Sequence, residues 1–253
     1  MPVDTALILR SVNYRESDRI FTLYTRELGK ISAIAKGARK SSKRFGGALQ
    51  PFAVFETTLN QSRRGSSHMH VLSDAALICD NAGLGKDLLR LGVAGFLMEL
   101  IREAAPEHEP SATLFDLAVS ALKLLSDDLA LSPGNLAIAA GLRILAQCGL
   151  AMSVTHCTAC GTAVPAGKSV YFDALRGGVV CTPCGGGPIL LDATAAAAFV
   201  YLSTHPIEDG AHCKIDTDTL RKMESTFDTY IHMQLEKQLK TFTYMMQVSG
   251  KNQ

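Results

Sequence analysis

The segments Cys157-Thr-Ala-Cys160-Gly161 and Cys181-Thr-Pro-Cys184-Gly185 determine the fold expected for the second half of the chain. Two residues between the cysteines of each pair allow both thiolates to face one ion while the backbone turns tightly. Four thiolates complete the tetrahedral shell that zinc prefers in a structural site. The glycine after each pair permits the positive φ that such a turn often needs. We therefore predict one structural zinc ion, held by Cys157, Cys160, Cys181 and Cys184.

The chain between the two cysteine pairs has the pattern of a β-hairpin. Two short β-prone runs, Ser169–Phe172 and Gly178–Cys181, flank a turn at Gly177-Gly178. Two disulfides, a redox pair or cysteines that only pack remain as alternatives to zinc. The first two fit poorly, because the rest of the chain has neither a secreted nor a thioredoxin-like character. Since four sulfurs fill the shell, catalysis at the metal is not expected.

The composition is that of an ordinary soluble protein with two or three small domains. The chain has 253 residues, of which 47% are hydrophobic and 19% are charged. No stretch approaches eighteen uninterrupted apolar residues, and the first residues lack the basic-then-apolar pattern of a signal peptide. We expect a cytoplasmic protein, in which the cysteines stay reduced and available to a metal.

The net charge of +1 conceals an asymmetry between the two parts of the chain. Residues 1–80 carry twelve Lys or Arg against seven Asp or Glu, a balance of +5, and the remainder has a balance of −4. A basic amino-terminal module indicates where an anionic partner would bind.

The first 80 residues have the pattern of a small β-barrel domain. Five short runs rich in β-branched and aromatic residues are separated by glycines and a proline. Five strands in about seventy residues favour an OB-fold, with an SH3-like barrel as the alternative. The predicted strands are Thr5–Val12, Arg19–Arg26, Lys30–Lys36, Phe52–Leu59 and His68–Ser73.

Residues 81–253 are predicted to form a mostly helical domain with the zinc module embedded at about 154–190. The apolar period changes to that of helices from Leu84 onward. Ser111 and Asp192 are placed to cap helices, and Pro133 is placed to open one. The last helix is predicted to run without interruption from about Asp216 to Val248. The fold class is therefore α+β multidomain, a five-stranded barrel followed by helices.

The segment Lys36–Gly47 concentrates positive charge between two predicted strands. It has five cations within nine residues, and no acidic residue lies between Gly29 and Phe55. Such a barrel loop can neutralise phosphates, and nearby aromatic side chains can stack on bases, for which Tyr14, Tyr24 and Phe45 are candidates. A solvated loop without a ligand is the alternative. The predicted nucleic-acid contacts are Lys36, Arg39, Lys40, Lys43, Arg44, Arg10, Arg15, Arg19, Arg63 and Arg64.

The motifs of common enzyme classes are not found in the sequence. It has no Walker-type phosphate loop, no His-Glu-x-x-His and no His-x-Glu of the zinc deaminases. His68-Met-His70 places two imidazoles on one face of a strand, which is more typical of exposed histidines than of a metal site. The short acidic pairs suit loops and helix caps better than a two-metal nuclease centre. A non-enzymatic protein is expected.

Motifs in both halves of the chain resemble the RecO family of bacterial recombination mediators. The first half of the resemblance is the stretch from Ala6 to Gly29, with Ala35-Lys-Gly-Ala-Arg39 and Leu49-Gln-Pro-Phe52. The second half is Leu142-Arg-Ile-Leu145 and Gly149, followed by the two cysteine pairs. The resemblance implies an OB-fold, a helical domain and a zinc module.

The same resemblance implies a function in DNA repair and homologous recombination. Such a protein binds single- and double-stranded DNA, anneals complementary strands, and cooperates with RecR and the single-strand-binding protein to load RecA in the RecF pathway. It would be associated with the nucleoid. A zinc-ribbon adaptor without DNA chemistry and a metal-dependent nucleic-acid enzyme are the alternatives. Annealing without ATP, divalent metal or bond cleavage would distinguish the mediator from both.

The resemblance also implies a site for the tail of the single-strand-binding protein, which is acidic and ends in apolar residues, and Arg143 is the predicted contact. Arg143 is the one cation between Lys123 and Lys168, and Leu142, Ile144 and Leu145 surround it in sequence. An apolar groove with a cation at its rim would suit such a tail. Pairing of Arg143 with a neighbouring carboxylate is the alternative.

Overall fold

A computed structural model describes residues 3–61, 69–165 and 167–250. The chain divides into two compact units. One combines Met1–Lys86 with Met98–Asp127, and the other combines Asp87–Leu97 with Asp128–Gln253. The predicted boundary between residues 80 and 81 stays a prediction. Within the described ranges, no helix has both the length and the apolar character needed to cross a bilayer.

The first unit contains a closed five-stranded barrel. Its strands follow the order β1-β2-β3-β5-β4, and β1 closes the barrel by pairing with both β2 and β4. The contact between β3 and β5 is parallel, and the other contacts are antiparallel. This order is that of the OB-fold, which confirms the prediction and removes the SH3-like alternative. The strands are β1 Val3–Tyr14, β2 Asp18–Thr25, β3 Gly29–Ala35, β4 Val54–Gln61 and β5 His70–Cys79.

The fifth strand extends further than its sequence predicts. The sequence predicts its end at Ser73, and the next residues, Asp74, Ala75 and Ala76, have low β-propensity. In the structure it continues to Cys79, and its second half pairs with β4 from Val54 to Thr58. Cross-strand hydrogen bonding therefore overrides local propensity here. His68, the predicted first residue, lies outside the described residues.

The barrel interior is closed by a short helix, α1 (Ser42–Phe45), in the segment that joins β3 to β4. Phe45 is 2% exposed and packs in the core cluster. The rest of that cluster comes mainly from alternating positions of the strands, as expected for a sheet with one buried face. Its large members include Phe21, Leu23, Ile31, Phe55 and Leu59. The basic segment, residues 36–44, is therefore anchored to the barrel by β3 at one end and by Phe45 at the other.

Three helices follow the barrel, and their predicted starts agree with the structure to within a few residues. A 3-10 turn at Ala82–Lys86 precedes α2 (Leu88–Ala104), and α3 spans Ala112–Asp127. Ser111 caps α3 as predicted, because its Oγ accepts from the N–H of Leu114 at 3.2 Å. α4 (Pro133–Gln147) begins at the predicted proline.

The second unit is built around α4, of which eleven residues are buried. α5 (Ala193–Thr204), α6 (Ile207–His212) and α7 (Thr217–Leu235) pack against it. A Cβ added at Gly141 would lie 2.8 Å from the Phe227 ring, so this glycine allows α4 and α7 to approach closely. Asp192 caps α5 as predicted, accepting from the N–H of Ala195 at 2.9 Å.

The prediction of one long final helix is wrong. α7 ends at Leu235, Glu236 adopts a left-handed conformation with φ 52°, and α8 runs from Lys240 to Ser249. The break brings Phe242 of α8 back onto Phe96 and Phe227, with ring centroids 4.6 and 5.9 Å apart. Burial of these three rings is the physical reason for the change of direction.

Candidate metal centre and nucleic-acid interface

The four knuckle cysteines meet at one point of the second unit. Their sulfur atoms all lie within 4.8 Å of one another, and Cys160 Sγ is 3.7 Å from Cys181 Sγ. A tetrahedral ion with Zn–S bonds of about 2.3 Å places its sulfurs about 3.8 Å apart. Among the described residues, this is the one cluster of three or more cysteine, histidine or acidic side chains that could hold a metal ion.

The backbone of both knuckles has the conformation that their glycines predict. Gly161 has φ 71° and Gly185 has φ 97°, and each N–H returns to a carbonyl of its own knuckle. The N–H of Cys181 also donates to Cys157 Sγ at 3.3 Å, so the second knuckle supports a sulfur of the first. A soft, four-sulfur donor set held by backbone turns fits a zinc ion.

The thiols influence one another strongly. Hydrogen bonds from two backbone N–H groups lower the pKa of Cys157 to about 6. The N–H of Cys181 contributes most, and that of Cys160 contributes next. Hydrogen bonding to the neighbouring sulfurs of Cys181 and Cys160 raises the pKa of Cys184 to about 12. Four crowded sulfurs cannot all carry negative charge without a compensating cation. A divalent metal ion would supply that charge and release the remaining protons.

A three-stranded sheet supports the cysteines. β6 (Val170–Asp173) and β7 (Gly178–Val180) form the predicted hairpin, although the turn takes the four residues 174–177 rather than two glycines. β8 (Ile189–Leu191) pairs with the other edge of β6 and was not predicted. The first knuckle joins the hairpin through the Thr158 N–H, which donates to the Val179 carbonyl at 2.9 Å.

The predicted DNA-contacting segment 36–44 lies beside the β1–β2 turn of the barrel. The N–H of Arg39 donates to the Ser17 carbonyl at 3.0 Å, and its guanidinium donates to the Glu16 carbonyl at 3.1 Å. Loops that follow β1 and β4 are the places where OB-folds bind oligonucleotides. The basic segment and the β1–β2 turn therefore form one continuous surface.

Several arginines of this surface already donate to backbone carbonyls. Arg44 donates to the Lys36 carbonyl at 2.6 Å and stacks over Phe45. Arg19 donates to the Leu49 carbonyl at 3.0 Å and lies over Phe21. These contacts orient the two guanidinium groups. Arg44 is exposed and Arg19 is half-buried. Lys36 and Lys40 are exposed.

The outer part of the β1–β2 hairpin is exposed along its length. β1 pairs with β4 only from Val3 to Leu7, so residues 10–14 pair with β2 alone. Arg10 and Arg15 are exposed there, and Arg15 lies over the Tyr14 ring at 5.2 Å. Arg63 and Arg64 lie outside the described residues, as does the side chain of Lys43.

Two of the three aromatic residues predicted to stack on bases are buried instead. Phe45 is 2% exposed in the barrel core and Tyr24 is 1% exposed. The sequence pattern could not reveal this, because a short helix turns Phe45 inward. Tyr14, which is 39% exposed at the end of β1, is the member of the set that a base could reach.

Arg143 uses its guanidinium inside the second unit. Nη1 donates to the carbonyls of Ala139 at 2.8 Å and Leu202 at 2.6 Å, and Nη2 donates to the carbonyl of His205. The latter two carbonyls lie at the end of α5, where helical carbonyls lack intrahelical partners. Burial lowers the pKa of Arg143 from its ordinary value. Its contact with a partner tail stays a prediction, and helix capping is its role within the chain.

An apolar groove that the sequence did not predict lies next to the first knuckle. The groove has a volume of about 290 Å³ and lies between α5 and residues 154–168. Val164, Ala196, Ala197 and Val200 line it, and Lys168 stands at its edge. Lys168 also lines a second groove of about 260 Å³ along β6 and β7. Among the described residues, no carboxylate pairs with Lys168.

Comparisons with known proteins cover nearly the whole chain. Residues 1–79 match the family model described as Recombination protein O N terminal, and residues 85–242 match Recombination protein O C terminal. The chain is 35% identical over 245 residues to the DNA repair protein RecO of Myxococcus xanthus, covering 97% of each chain. It is 34% identical over 249 residues to the protein of that name from an Anaeromyxobacter species, covering 96% and 95%.

Proposed function

Because the chain belongs to the RecO family of DNA repair proteins, we propose that it is a non-enzymatic mediator of recombination that binds and anneals DNA. It binds single- and double-stranded DNA through the barrel. With RecR and the single-strand-binding protein, it promotes RecA loading in the RecF pathway. Family membership supports the repair role, and the finer activities are the proposal.

The surface formed by segment 36–44 and the β1–β2 turn supports the DNA-binding part of the proposal. Annealing brings two polyanions together, and its main physical obstacle is phosphate repulsion. Cations held on one barrel face screen that repulsion, so annealing needs no nucleotide hydrolysis. The single observation that carries the assignment is the set of hydrogen bonds from Arg39 that joins the basic segment to this turn.

The proposed zinc ion has a structural role. Its four sulfur ligands leave no position for a substrate, and the knuckles hold a sheet rather than line an active site. Zinc adaptor function without DNA binding is the second candidate. It would predict no salt-dependent DNA affinity, and it leaves the basic surface of the barrel unexplained.

Replacing Lys36 and Lys40 with glutamine tests the DNA surface. We expect the slope of log affinity against log salt on single strands to become shallower by about 1.4, or about 0.7 for each lost phosphate contact. The lysines are preferred to Arg39 and Arg44 because the two arginines also support the backbone. Fluorescence anisotropy at four salt concentrations measures the slope.

Lys86 and Lys123 provide the matched control. Both are exposed cations of the first unit, carried by the 3-10 turn and α3 rather than by the basic segment. Their double glutamine variant has the same net charge as the test variant, and its slope should equal that of the wild type. Equal slopes for both double variants would count against the assignment.

For the tail of the single-strand-binding protein, we propose the groove beside Lys168 rather than Arg143. The guanidinium of Arg143 is occupied by three carbonyls, whereas Lys168 is exposed beside an apolar groove. The apolar end of an acidic tail would enter the groove while a carboxylate pairs with the ammonium group.

A Lys168→Glu variant should bind an isolated tail peptide about tenfold more weakly, because attraction becomes repulsion at the groove edge. Isothermal titration calorimetry gives the affinity. Lys240→Glu, an equal charge change at an exposed position of α8, is the control and should bind normally. Unchanged affinity in Lys168→Glu would exclude the groove as the tail site.

A further inference from the structure

An acidic side chain accepts a hydrogen bond from the start of the basic segment 36–44. Asp18 begins β2 opposite Tyr14, and its Oδ1 accepts from the N–H of Gly37 at 2.8 Å and from Ser17 Oγ at 3.1 Å. The Gly37 N–H, aided by Ser17 and by the charges of Arg15 and Lys36, lowers the pKa of Asp18. The carboxylate is therefore ionised at neutral pH and engaged with the base of segment 36–44.

Gly37 organises the segment that follows it. It adopts φ 68°, a conformation that favours glycine, and its carbonyl accepts from the N–H groups of Lys40 and Ser41 at 3.0 Å each. The peptide units at Gly37 thus bind Asp18 on one side and close the basic turn on the other. Loss of the side-chain oxygen that accepts from the Gly37 N–H would release the turn at this point.

The same β1–β2 turn holds the segment a second time. The Arg39 N–H donates to the Ser17 carbonyl, one residue before Asp18. The Arg44 guanidinium closes the loop by donating to the Lys36 carbonyl. In the contact between Asp18 and Gly37, the acceptor is a side-chain carboxylate, whereas in the other two contacts it is a backbone carbonyl. A hydrogen bond to a carboxylate is strong, and a side-chain acceptor can be removed by substitution.

We propose that Asp18 is a positioning residue for DNA binding, whose carboxylate holds the basic segment 36–44 in the conformation that presents its cations to phosphates. The inference rests on the proposed DNA-binding function. Asp18 touches no phosphate itself. It acts through the Gly37 N–H, and it raises affinity by raising the fraction of the protein in the binding-competent conformation.

Simple electrostatics predicts the opposite effect. A negative charge within a phosphate-binding surface repels DNA, so its removal should strengthen binding. A positioning role predicts that removal of the acceptor weakens binding even though the surface becomes more positive. The direction of the change therefore separates the two explanations.

The test compares three variants of the full chain on the same single-stranded oligonucleotide. Asp18→Ala removes both the charge and the acceptor, and its affinity should fall by about tenfold. Asp18→Asn removes the charge and keeps a carbonyl acceptor, so its affinity should equal or exceed that of the wild type. Glu16→Ala removes a charge from the same turn and should bind slightly more tightly. Within the described ranges, Glu16 accepts a hydrogen bond through its backbone carbonyl, which the alanine variant keeps.

Amide hydrogen exchange provides a readout that is independent of DNA. The Gly37, Lys40 and Ser41 amides should lose protection in Asp18→Ala and keep it in Asp18→Asn, while the melting temperatures of both stay within a few degrees of the wild type. This pattern together with the affinity order supports the proposal.

Two affinity results would overturn the proposal. Affinity in Asp18→Ala equal to or above that of the wild type would do so, as would equal losses in the alanine and asparagine variants. If the wild-type protein itself did not bind DNA, the proposed function would fail separately. The exchange data would still decide the positioning: unchanged protection of Gly37 in Asp18→Ala would refute it.

Discussion

Replacing Cys160 with serine is expected to prevent metal binding by the four-cysteine cluster and to lower the melting temperature of the second unit by about 10 °C. The physical reason is that one lost thiolate leaves an open, hydrated shell, and the remaining three sulfurs no longer hold both knuckles against the sheet. Protein purified without added metal should contain about one zinc ion per wild-type chain and much less in the variant. Elemental analysis and calorimetry measure the two quantities.

Cys213→Ser is the matched control for this experiment. Cys213 is half-buried in the same unit, lies outside the sulfur cluster, and binds Asn135 through its backbone carbonyl. Its variant should keep the metal and melt near the wild-type temperature. A wild-type chain without zinc, or a Cys160→Ser chain with unchanged melting, would contradict the structural metal site.

Replacing Glu224 with glutamine is expected to stabilise the protein at neutral and alkaline pH by about 3 kcal/mol. Glu224 lies on α7 and is 3% exposed, and its Oε1 has no hydrogen-bond partner among the residues that the structure describes. Burial raises the pKa of this carboxyl from 4.5 to about 7, partly offset by the charge of Arg221. An ionised carboxylate in this position therefore costs folding free energy.

The pH dependence follows from the two pKa values of Glu224. Below 4.5 the carboxyl is protonated in both states, and glutamine should change stability little. Between 4.5 and about 7 the unfolded chain releases the proton while the folded chain keeps it, so wild-type stability falls as pH rises. Above about 7 the full penalty applies, and the advantage of glutamine should be constant.

Urea unfolding of the two proteins at pH 4.5, 6 and 8 measures this difference. Glu56→Gln, a change at an exposed glutamate of β4, is the control and should show no pH-dependent gain. A stability difference between Glu224→Gln and the wild type that stayed the same across this range would show that the carboxyl is not held in its protonated form by burial.

The features that the sequence determined alone are those encoded over a few residues. Knuckle spacing, glycines with positive φ, and the caps at Ser111 and Asp192 act within three or four residues, so local pattern was sufficient to predict them. The barrel was predicted from the number of β-prone runs and from the glycines and the proline that separate them. The sequence contains no indication of a role for Asp18, because the Gly37 N–H that it binds is nineteen residues away.

Other features depend on the tertiary structure, because the local sequence is compatible with more than one side-chain position or element length. The tertiary structure turned Phe45 into the barrel core, ended α7 at Leu235, and used the guanidinium of Arg143 to cap α5. It also extended β5 to Cys79 by pairing it with β4. Each outcome depends on burial or on a hydrogen-bond partner far away in the chain. The energy of such contacts exceeds local preferences, which differ by only about 1 kcal/mol per residue.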